Sequence, residues 1–193
     1  MAEVVGETAR LRLREWDPED ERHFYDVMNR PEVMQHLGGV QSPEEWSAAY
    51  NRILGFQRDY GHTFWIVEDR TSGEILGFCG IKRVNAPGAG DLTGMHEIGW
   101  RLRLGSWGQG IAKDAAIESL DLAFGRFEAP AVIATTVPAN EASQGLMKRL
   151  GMTRREDLDY VDTRFGPDLN PTIVYWMDAG DWAAARERAL KPR

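Results

Sequence analysis

Three glycines within six residues form the stretch of this chain with the clearest chemical character. Residues 105–110 read GSWGQG, and the residues that follow have the composition of a helix. A glycine turn at the start of a helix directs unpaired backbone N–H groups and the positive end of the helix dipole to one point. Because this arrangement attracts phosphate, the stretch predicts a phosphate-bearing ligand.

Two common phosphate loops lack the residues that carry their chemistry. A P-loop needs Lys and then Ser or Thr directly after Gly110, where this chain has Ile and Ala. A dinucleotide fingerprint needs a glycine where Lys113 stands, and no ribose-binding carboxylate follows about 20 residues later. What fits is a short turn, WGQGIA, whose N–H groups converge on the ligand.

Strand-like segments occur in both halves of the chain. Residues 8–15 alternate apolar and charged side chains, as a half-buried strand does. Two segments rich in aromatic and β-branched residues, 62–68 and 74–81, flank the turn composition DRTSG and predict an antiparallel hairpin. The remaining predicted strands lie near 95–103, 131–137 and 172–177.

Helix signals separate these strands. Asp17-Pro18 predicts a helix start, with an N-cap and a first-turn proline, and Ser42 with Glu45 has the spacing of a capping box. The later predicted helices are 108–124 with Gly125 as a stop, 140–150 with Asn140 as cap, and 181–190. A hairpin followed by alternating strands and helices predicts one α/β domain, residues 1–193.

Composition excludes several classes of protein. With 42% hydrophobic and 27% charged residues, and no apolar run long enough to span a bilayer, the chain is typical of a soluble globular protein. Cys79 is the single cysteine and no secretory signal is present, so we expect a cytoplasmic protein. The net charge of −7 argues against a nucleic-acid partner; it would suit a cationic substrate, although solubility alone explains it. The histidine spacing predicts no metal site.

The turn Trp107-Gly108-Gln109-Gly110-Ile111-Ala112 resembles the acyl-CoA pyrophosphate loop of the GNAT N-acetyltransferase superfamily, commonly Arg/Gln-x-x-Gly-x-Gly/Ala, with Trp107 in place of the first Arg or Gln. That replacement resembles the branch of the ribosomal-protein N-terminal acetyltransferases RimJ and RimL. So does the order of segments across residues 8–178: TARLRLREWDPED, NRPEVMQHLGG, GHTFWIVEDRTSGEILGFCGI, HEIGWRL and NEASQGLMKRLGM.

The resemblance implies a GNAT fold, a mixed and mostly antiparallel central sheet with helices on both faces and strands that splay apart at the acyl-CoA site. It implies acetyl-CoA as cosubstrate. The backbone around Leu102 and Arg103 would hold the pantetheine, and the amides of Gly108 to Ala112 the pyrophosphate. Gly99, in the strand before the loop, is compatible with a local bulge there.

Three residues are candidates for the chemistry that this resemblance implies. Glu97 matches a position where several GNAT enzymes carry a base, although a charged strand residue can also orient substrate or face solvent. Asn140 would contact acetyl-CoA, cap its helix, or do both. Ser143 would protonate the departing thiolate, or bond its own backbone. Many GNAT enzymes place a Tyr acid where this chain has Met147, so Ser143 or a water is the better candidate.

The resemblance leaves the acceptor open. It implies transfer of the acetyl group to a primary amine, such as a protein N-terminal α-amine. The alternatives are a small amine (an antibiotic, a polyamine or an amino acid) and a catalytically idle acyl-CoA-binding sensor, which Met147 suggests. A homodimer is compatible with the family, and no membrane partner is expected.

Overall fold

The computed structural model describes residues 2–191. Its strands are β1 (Val4–Glu7), β2 (Leu11–Arg14), β3 (Phe64–Asp69), β4 (Ile75–Arg83), β5 (His96–Leu102), β6 (Ala131–Thr136), β7 (Thr153–Arg154) and β8 (Ile173–Asp178). Its helices are α1 (Asp20–Met28), α2 (Pro31–Met34), α3 (Pro43–Tyr60), α4 (Ile111–Gly125), α5 (Glu141–Leu150) and α6 (Ala179–Leu190). None of the helices in this described part is long and apolar enough to cross a membrane.

The strands form one sheet in the order β1-β2-β3-β4-β5-β6-β8-β7. Neighbours are antiparallel except β5 and β6, which run parallel because α4 makes the crossover between them. The predicted mixed, mostly antiparallel sheet is confirmed. The capping box at Ser42 and the hairpin of β3 and β4 are confirmed as well.

Each face of the sheet is covered by its own group of helices. α4 packs across β4 and β5 and contacts α5 and α6, above a core that includes Ile98 and Leu102. The opposite face meets α1 and α3 through an aromatic cluster that includes Phe24, Trp46 and Phe78. Because side chains alternate along a strand, β5 sends even-numbered residues toward α4 and odd-numbered residues toward α1 and α3.

The sheet opens between its two parallel strands. β5 and β6 pair from His96 with Val132 to Ile98 with Ala134, and no further. Beyond that point β5 continues to Leu102 beside β4, while β6 continues beside β8. The predicted splay is therefore present, and it leaves the backbone of the last part of β5 without a strand partner on one side.

Three local predictions are wrong. α1 begins at Asp20 and not at Asp17-Pro18, because the Asp20 carboxylate accepts from the Asp17 N–H at 2.7 Å and pairs with Arg14 at 2.6 Å. Gly125 is the last residue of α4 and does not stop it with a left-handed turn. Gly99 makes no bulge, since the β4–β5 register is unbroken; a Cβ there would lie 2.7 Å from Cζ of Phe64.

Two buried histidines lie side by side on the α4 side of the sheet. The ring centroids of His62 and His96 are 5.2 Å apart, and their Nε2 atoms have no hydrogen-bond partner among residues 2–191. Nδ1 of His96 lies 3.3 Å from Nη1 of Arg83. Burial, together with the positive charge of Arg83 and the neighbouring His62, lowers the pKa of His96 to about 4.

This depressed pKa predicts that His96 makes the protein acid-sensitive. Above pH 6.5 the ring is neutral in both states. As the pH falls from 6.5 to about 4 the unfolded chain takes up a proton that the native site refuses, so stability falls by on the order of 3 kcal/mol in total. Urea unfolding at pH 7.5, 6 and 5 should show this loss in the wild type and a shallower one in His96→Met.

The matched control is His23→Met on α1, because His23 is exposed. This variant should keep the wild-type pH dependence of the free energy of unfolding. An equally steep loss in His96→Met would show that other groups cause the acid sensitivity.

Candidate active site

A cavity of about 1410 Å³ extends from the glycine loop, along the opening between β5 and β6, to α2 and α3. The end at α2 and α3 is called the acceptor side below. The walls of the cavity come from the loop before α4, from β5, from the start of α5, and from α2 and α3. The predicted site residues that line it are Glu97, Leu102, Trp107, Gly108, Gln109, Gly110, Ile111, Ala112, Asn140 and Ser143. The structure thus gathers around one cavity residues that are up to 46 positions apart, from 97 to 143.

The glycine loop presents a row of backbone donors. Gly108 and Gly110 have φ of 74° and 78°, a left-handed conformation that glycine adopts at little cost. The N–H groups of residues 108–113 have no acceptor within the described chain, and they lie at the N-terminus of α4. This arrangement fits the pyrophosphate of an acyl-CoA, which needs several donors and a positive helix end.

Arg10 fixes the loop to the sheet. Its guanidinium donates to Oδ2 of Asp114 at 2.9 and 2.5 Å and to the carbonyl of Gln109 at 3.1 Å. The contact joins the residue just before β2 to the first turn of α4. It therefore positions the row of donors relative to the sheet.

At the open edge of β5, Leu102 and Arg103 direct their backbone groups to different sides of the strand. The Arg103 N–H donates to Leu76 on β4 and its carbonyl accepts from Ser106, so neither group is offered to a ligand. Backbone groups alternate in direction along a strand, so the N–H and C=O groups of Trp100 and Leu102 point into the opening, as those of Ile98 point toward β6. The Leu102 carbonyl accepts from Nε1 of Trp107 at 2.9 Å, which shows one role of a Trp at the first loop position.

Glu97 lies where the two parallel strands part. One carboxylate oxygen accepts from Oγ1 of Thr135 at 2.7 Å, and the other forms an ion pair with Nζ of Lys82. The side chains of Glu97 and Lys82 are only 14% and 18% exposed. Glu97 is thus a positioned, largely buried acceptor of hydrogen bonds at the wall of the cavity.

The start of α5 supplies a hydroxyl. Oδ1 of Asn140 accepts from the N–H of Ser143 at 3.2 Å, so Asn140 is the N-cap of this helix. The Ser143 hydroxyl has no partner among the described residues, and Ser143 lines the cavity. Met147, one helical turn further on, is buried in the core.

Comparisons with known proteins agree with this geometry. Residues 10–153 match the model of the acetyltransferase (GNAT) domain. The YkkB protein of Bacillus subtilis is 31% identical over 146 residues, which are 75% of this chain and 83% of YkkB. The chain belongs to the GNAT family of acetyltransferases.

Solved GNAT structures share the fold. An acetyltransferase from Agrobacterium tumefaciens superposes with a TM-score of 0.74 at 24% identity, covering 92% of this chain and 96% of that one. RimL, a ribosomal L7/L12 alpha-N-protein acetyltransferase, superposes with a TM-score of 0.69 at 16% identity, covering 92% and 95%. Family membership makes the chain an acyltransferase and implies acetyl-CoA as its cosubstrate.

This GNAT chain also carries a tyrosine in the site that the sequence analysis missed. Tyr160 lines the cavity, in a bridge with Thr172 before β8. Burial, and then the negative charges of Glu97 and Asp162, raise the pKa of Tyr160, so its phenol stays protonated. The sequence led to a search for a tyrosine on α5. The signal that could have found Tyr160 is its position shortly before the predicted strand that begins at Thr172, with which it forms an isolated β-bridge.

An ion pair borders the same end of the cavity. Asp162 is buried and accepts three hydrogen bonds from the guanidinium of Arg164, the shortest at 2.6 Å, and one from the Arg164 N–H at 3.0 Å. Burial opposes ionisation of Asp162, but these hydrogen bonds outweigh it and lower the pKa of its carboxyl group. The pair therefore remains charged at neutral pH. Within the described ranges, no three His, Cys, Asp or Glu side chains are grouped as a metal ion would require.

Proposed function

We propose that this protein transfers the acetyl group of acetyl-CoA directly to a primary amine, a protein N-terminal α-amine in the first instance. The observation that carries the proposal is Glu97, held by Lys82 and Thr135 at the point where the strands part. Beside it runs a cavity that ends in the unpaired N–H groups of residues 108–113. A proton acceptor and an acyl-CoA cradle thus share one space.

The glycine loop and the open edge of β5 form the proposed binding site for acetyl-CoA. In the proposed complex, the donors of residues 108–113 bind the pyrophosphate, and the backbone of Trp100 and the N–H of Leu102 pair with the pantetheine amides. Acetyl-CoA brings an activated thioester, whose carbonyl carbon is open to attack. Asn140 and Ser143 line the cavity at the start of α5, between the cradle and the acceptor side.

In the transfer, the neutral amine forms the new C–N bond and the C–S bond breaks. Glu97 accepts the proton that the amine nitrogen loses, directly or through a water molecule, while Lys82 and Thr135 keep the carboxylate oriented. The thiolate gains a proton from the free hydroxyl of Ser143. Positioned acid–base groups of this kind contribute about 10²–10⁴-fold each.

Direct transfer is favoured over an acyl-enzyme. Cys79 is fully buried, and burial raises the pKa of its thiol to about 12, so it is neither accessible nor ionised. The likeness to RimL and the order of RimJ/RimL-like motifs support the N-terminal α-amine as acceptor. A small amine is the second candidate, because the same cavity would admit one.

The cradle predicts that Gly110→Val weakens binding of acetyl-CoA by about tenfold or more. A β-branched residue at φ 78° is strained, and its side chain would crowd the pyrophosphate site. Calorimetric titration of wild type and variant with acetyl-CoA, and of the wild type with NAD and ATP, measures this directly.

Gly105→Ala is the control, since a Cβ at Gly105 meets nothing within 4 Å and its φ lies outside the left-handed region. It should bind acetyl-CoA like the wild type. Normal affinity in a folded Gly110→Val protein would remove the loop from the proposal.

The base role predicts that Glu97→Gln lowers kcat by about 10²-fold or more and leaves acetyl-CoA affinity within about twofold. The amide preserves size and can still accept from Thr135, so the loss would come from proton transfer. Release of CoA thiol with a panel of peptides and small amines gives kcat. A fall in acetyl-CoA affinity without a fall in kcat would make Glu97 a binding residue.

Two hydroxyls compete for protonation of the thiolate, and their variants separate them. We expect Ser143→Ala to slow acetyl transfer by about tenfold or more, and Tyr160→Phe to act chiefly on the KM of the amine, because Tyr160 interacts with Glu97 and Asp162. Steady-state kinetics of both variants test this. The reverse pattern would assign the proton donor to Tyr160.

A further inference from the structure

A second charged group on β5, Arg101, faces the same side as Glu97 and contacts an aromatic ring in place of a carboxylate. Arg101 lies across from Phe78 in the β4–β5 ladder, with its guanidinium carbon 5.1 Å from the centre of that ring. Its Nε is buried without a hydrogen bond, and within residues 2–191 the guanidinium makes neither a hydrogen bond nor an ion pair. Arg101 lines the cavity of the candidate active site.

A guanidinium whose Nε is buried without a hydrogen bond is costly, and other partly buried arginines of this protein avoid that cost. Arg14 binds Asp20 and Glu68, and Arg164 binds Asp162. Burial alone lowers the pKa of Arg101 to about 10, so the group stays charged at neutral pH without a carboxylate beside it. An anion that enters the cavity would supply the missing partner.

A second donor without a partner lines the same cavity. Trp46 is 4% exposed, and its Nε1 has no acceptor among the described residues. Its ring stacks on Phe24 at 5.4 Å, and Phe24 stacks at 5.7 Å on Phe78, the ring that Arg101 covers. The contacts run from Trp46 through Phe24 and Phe78 to Arg101, so the indole N–H is a donor separate from the guanidinium, and a carbonyl oxygen of a peptide would satisfy it. The guanidinium fork of Arg101 matches the two oxygens of a carboxylate.

The third buried polar atom without a hydrogen bond at this cavity is an oxygen of Gln41. Oε1 of Gln41, which precedes α3, is buried without a hydrogen bond among residues 2–191, and Gln41 lines the cavity. A carboxylate would not satisfy an oxygen, but a backbone N–H of a peptide would. The three orphaned groups together fit a peptide that carries an acidic side chain.

The position of Arg101 sets the length of an acceptor that reaches both Glu97 and Arg101. Glu97 and Arg101 are four residues apart on one strand, so their Cα atoms are about 13 Å apart at about 3.3 Å per residue. A free α-amino acid cannot span that distance between its amine and its carboxylate. An extended peptide covers it in about four residues, because it advances by a similar amount per residue.

We propose that Arg101 binds the carboxylate of an Asp or Glu at the third to fifth position of a peptide acceptor whose N-terminal amine lies at Glu97. This inference rests on the proposed function and narrows it to acidic N-terminal sequences. Arg101 acts on acceptor binding and takes no part in the proton transfers.

Amidated hexapeptides with the sequence Ser-Ala-Ala-Ala-Ala-Ala test the proposal, with a single Asp placed in turn at positions 2 to 6 and Asn at the same positions for comparison. The wild type should acetylate the peptides with Asp at positions 3 to 5 at least about tenfold more efficiently, in kcat/KM, than their Asn counterparts. Arg101→Met should abolish that preference through KM, and Arg101→Lys should retain part of it.

Controls keep the result specific. Arg58→Met removes an exposed arginine of α3 whose ion pair is with its neighbour Asp59, and it should behave like the wild type. Arg101→Met should keep its thermal stability and its affinity for acetyl-CoA. Equal rates on Asp and Asn peptides in the wild type, a preference that survives in Arg101→Met, or a loss of acetyl-CoA binding in that variant would overturn the inference.

Calorimetry of the peptides with CoA-loaded protein separates this failure from failure of the proposed function. Transfer without dependence on Asp refutes the inference and leaves acetyl transfer to amines in place. Asp-dependent binding without transfer to any peptide or amine supports the anion site and refutes the proposed catalysis.

Discussion

The separation of β5 from β6 after Ile98 and Ala134 is the constraint on which the rest of the site depends. In a fully paired sheet the backbone groups of β5 would be satisfied by its neighbour, and no ligand could pair with them. Here one edge of the strand stays open, and the crossover helix α4 begins at the same end. The cavity, the row of donors and Glu97 all follow from that single divergence.

The divergence also explains why a carboxylate can be held in a largely buried position. Pairing across the ladders brings Lys82 of β4 beside Glu97, and β6 brings Thr135 to its other oxygen, before the strands part. Both contacts come from rigid strands, not from loops. The two contacts hold the carboxylate in one orientation, which the proposed transfer of a proton from an incoming amine requires.

Sequence predicted the elements whose signals are local. The capping box at Ser42, the N-cap at Asn140 and the glycine turn before α4 each need only a few residues, and all three are present. The prediction failed where a side-chain contact decides: Arg14 pairs with Asp20 and fixes the turn before α1, and Phe64, far away in the sequence, uses the space at Gly99 that suggested a bulge. For the same reason Lys82, Arg101 and Tyr160 were missed, since only the sheet register and a loop before β8 bring them to the cavity.

The net charge of the chain is another sequence property that does not predict the contacts in the site. A chain with a net charge of −7 suggests a cationic partner, yet the acidic groups at the acceptor end already have cations: Glu97 has Lys82, and Asp162 has Arg164. Arg101 lies there over an aromatic ring, with its Nε buried and no carboxylate partner among residues 2–191. Since long-range charge is screened within about 10 Å while a buried charge acts at contact, the local arrangement decides what the site recognises. In the proposed complex, Arg101 therefore favours an acceptor that brings a negative charge, although the net charge of the whole chain is negative.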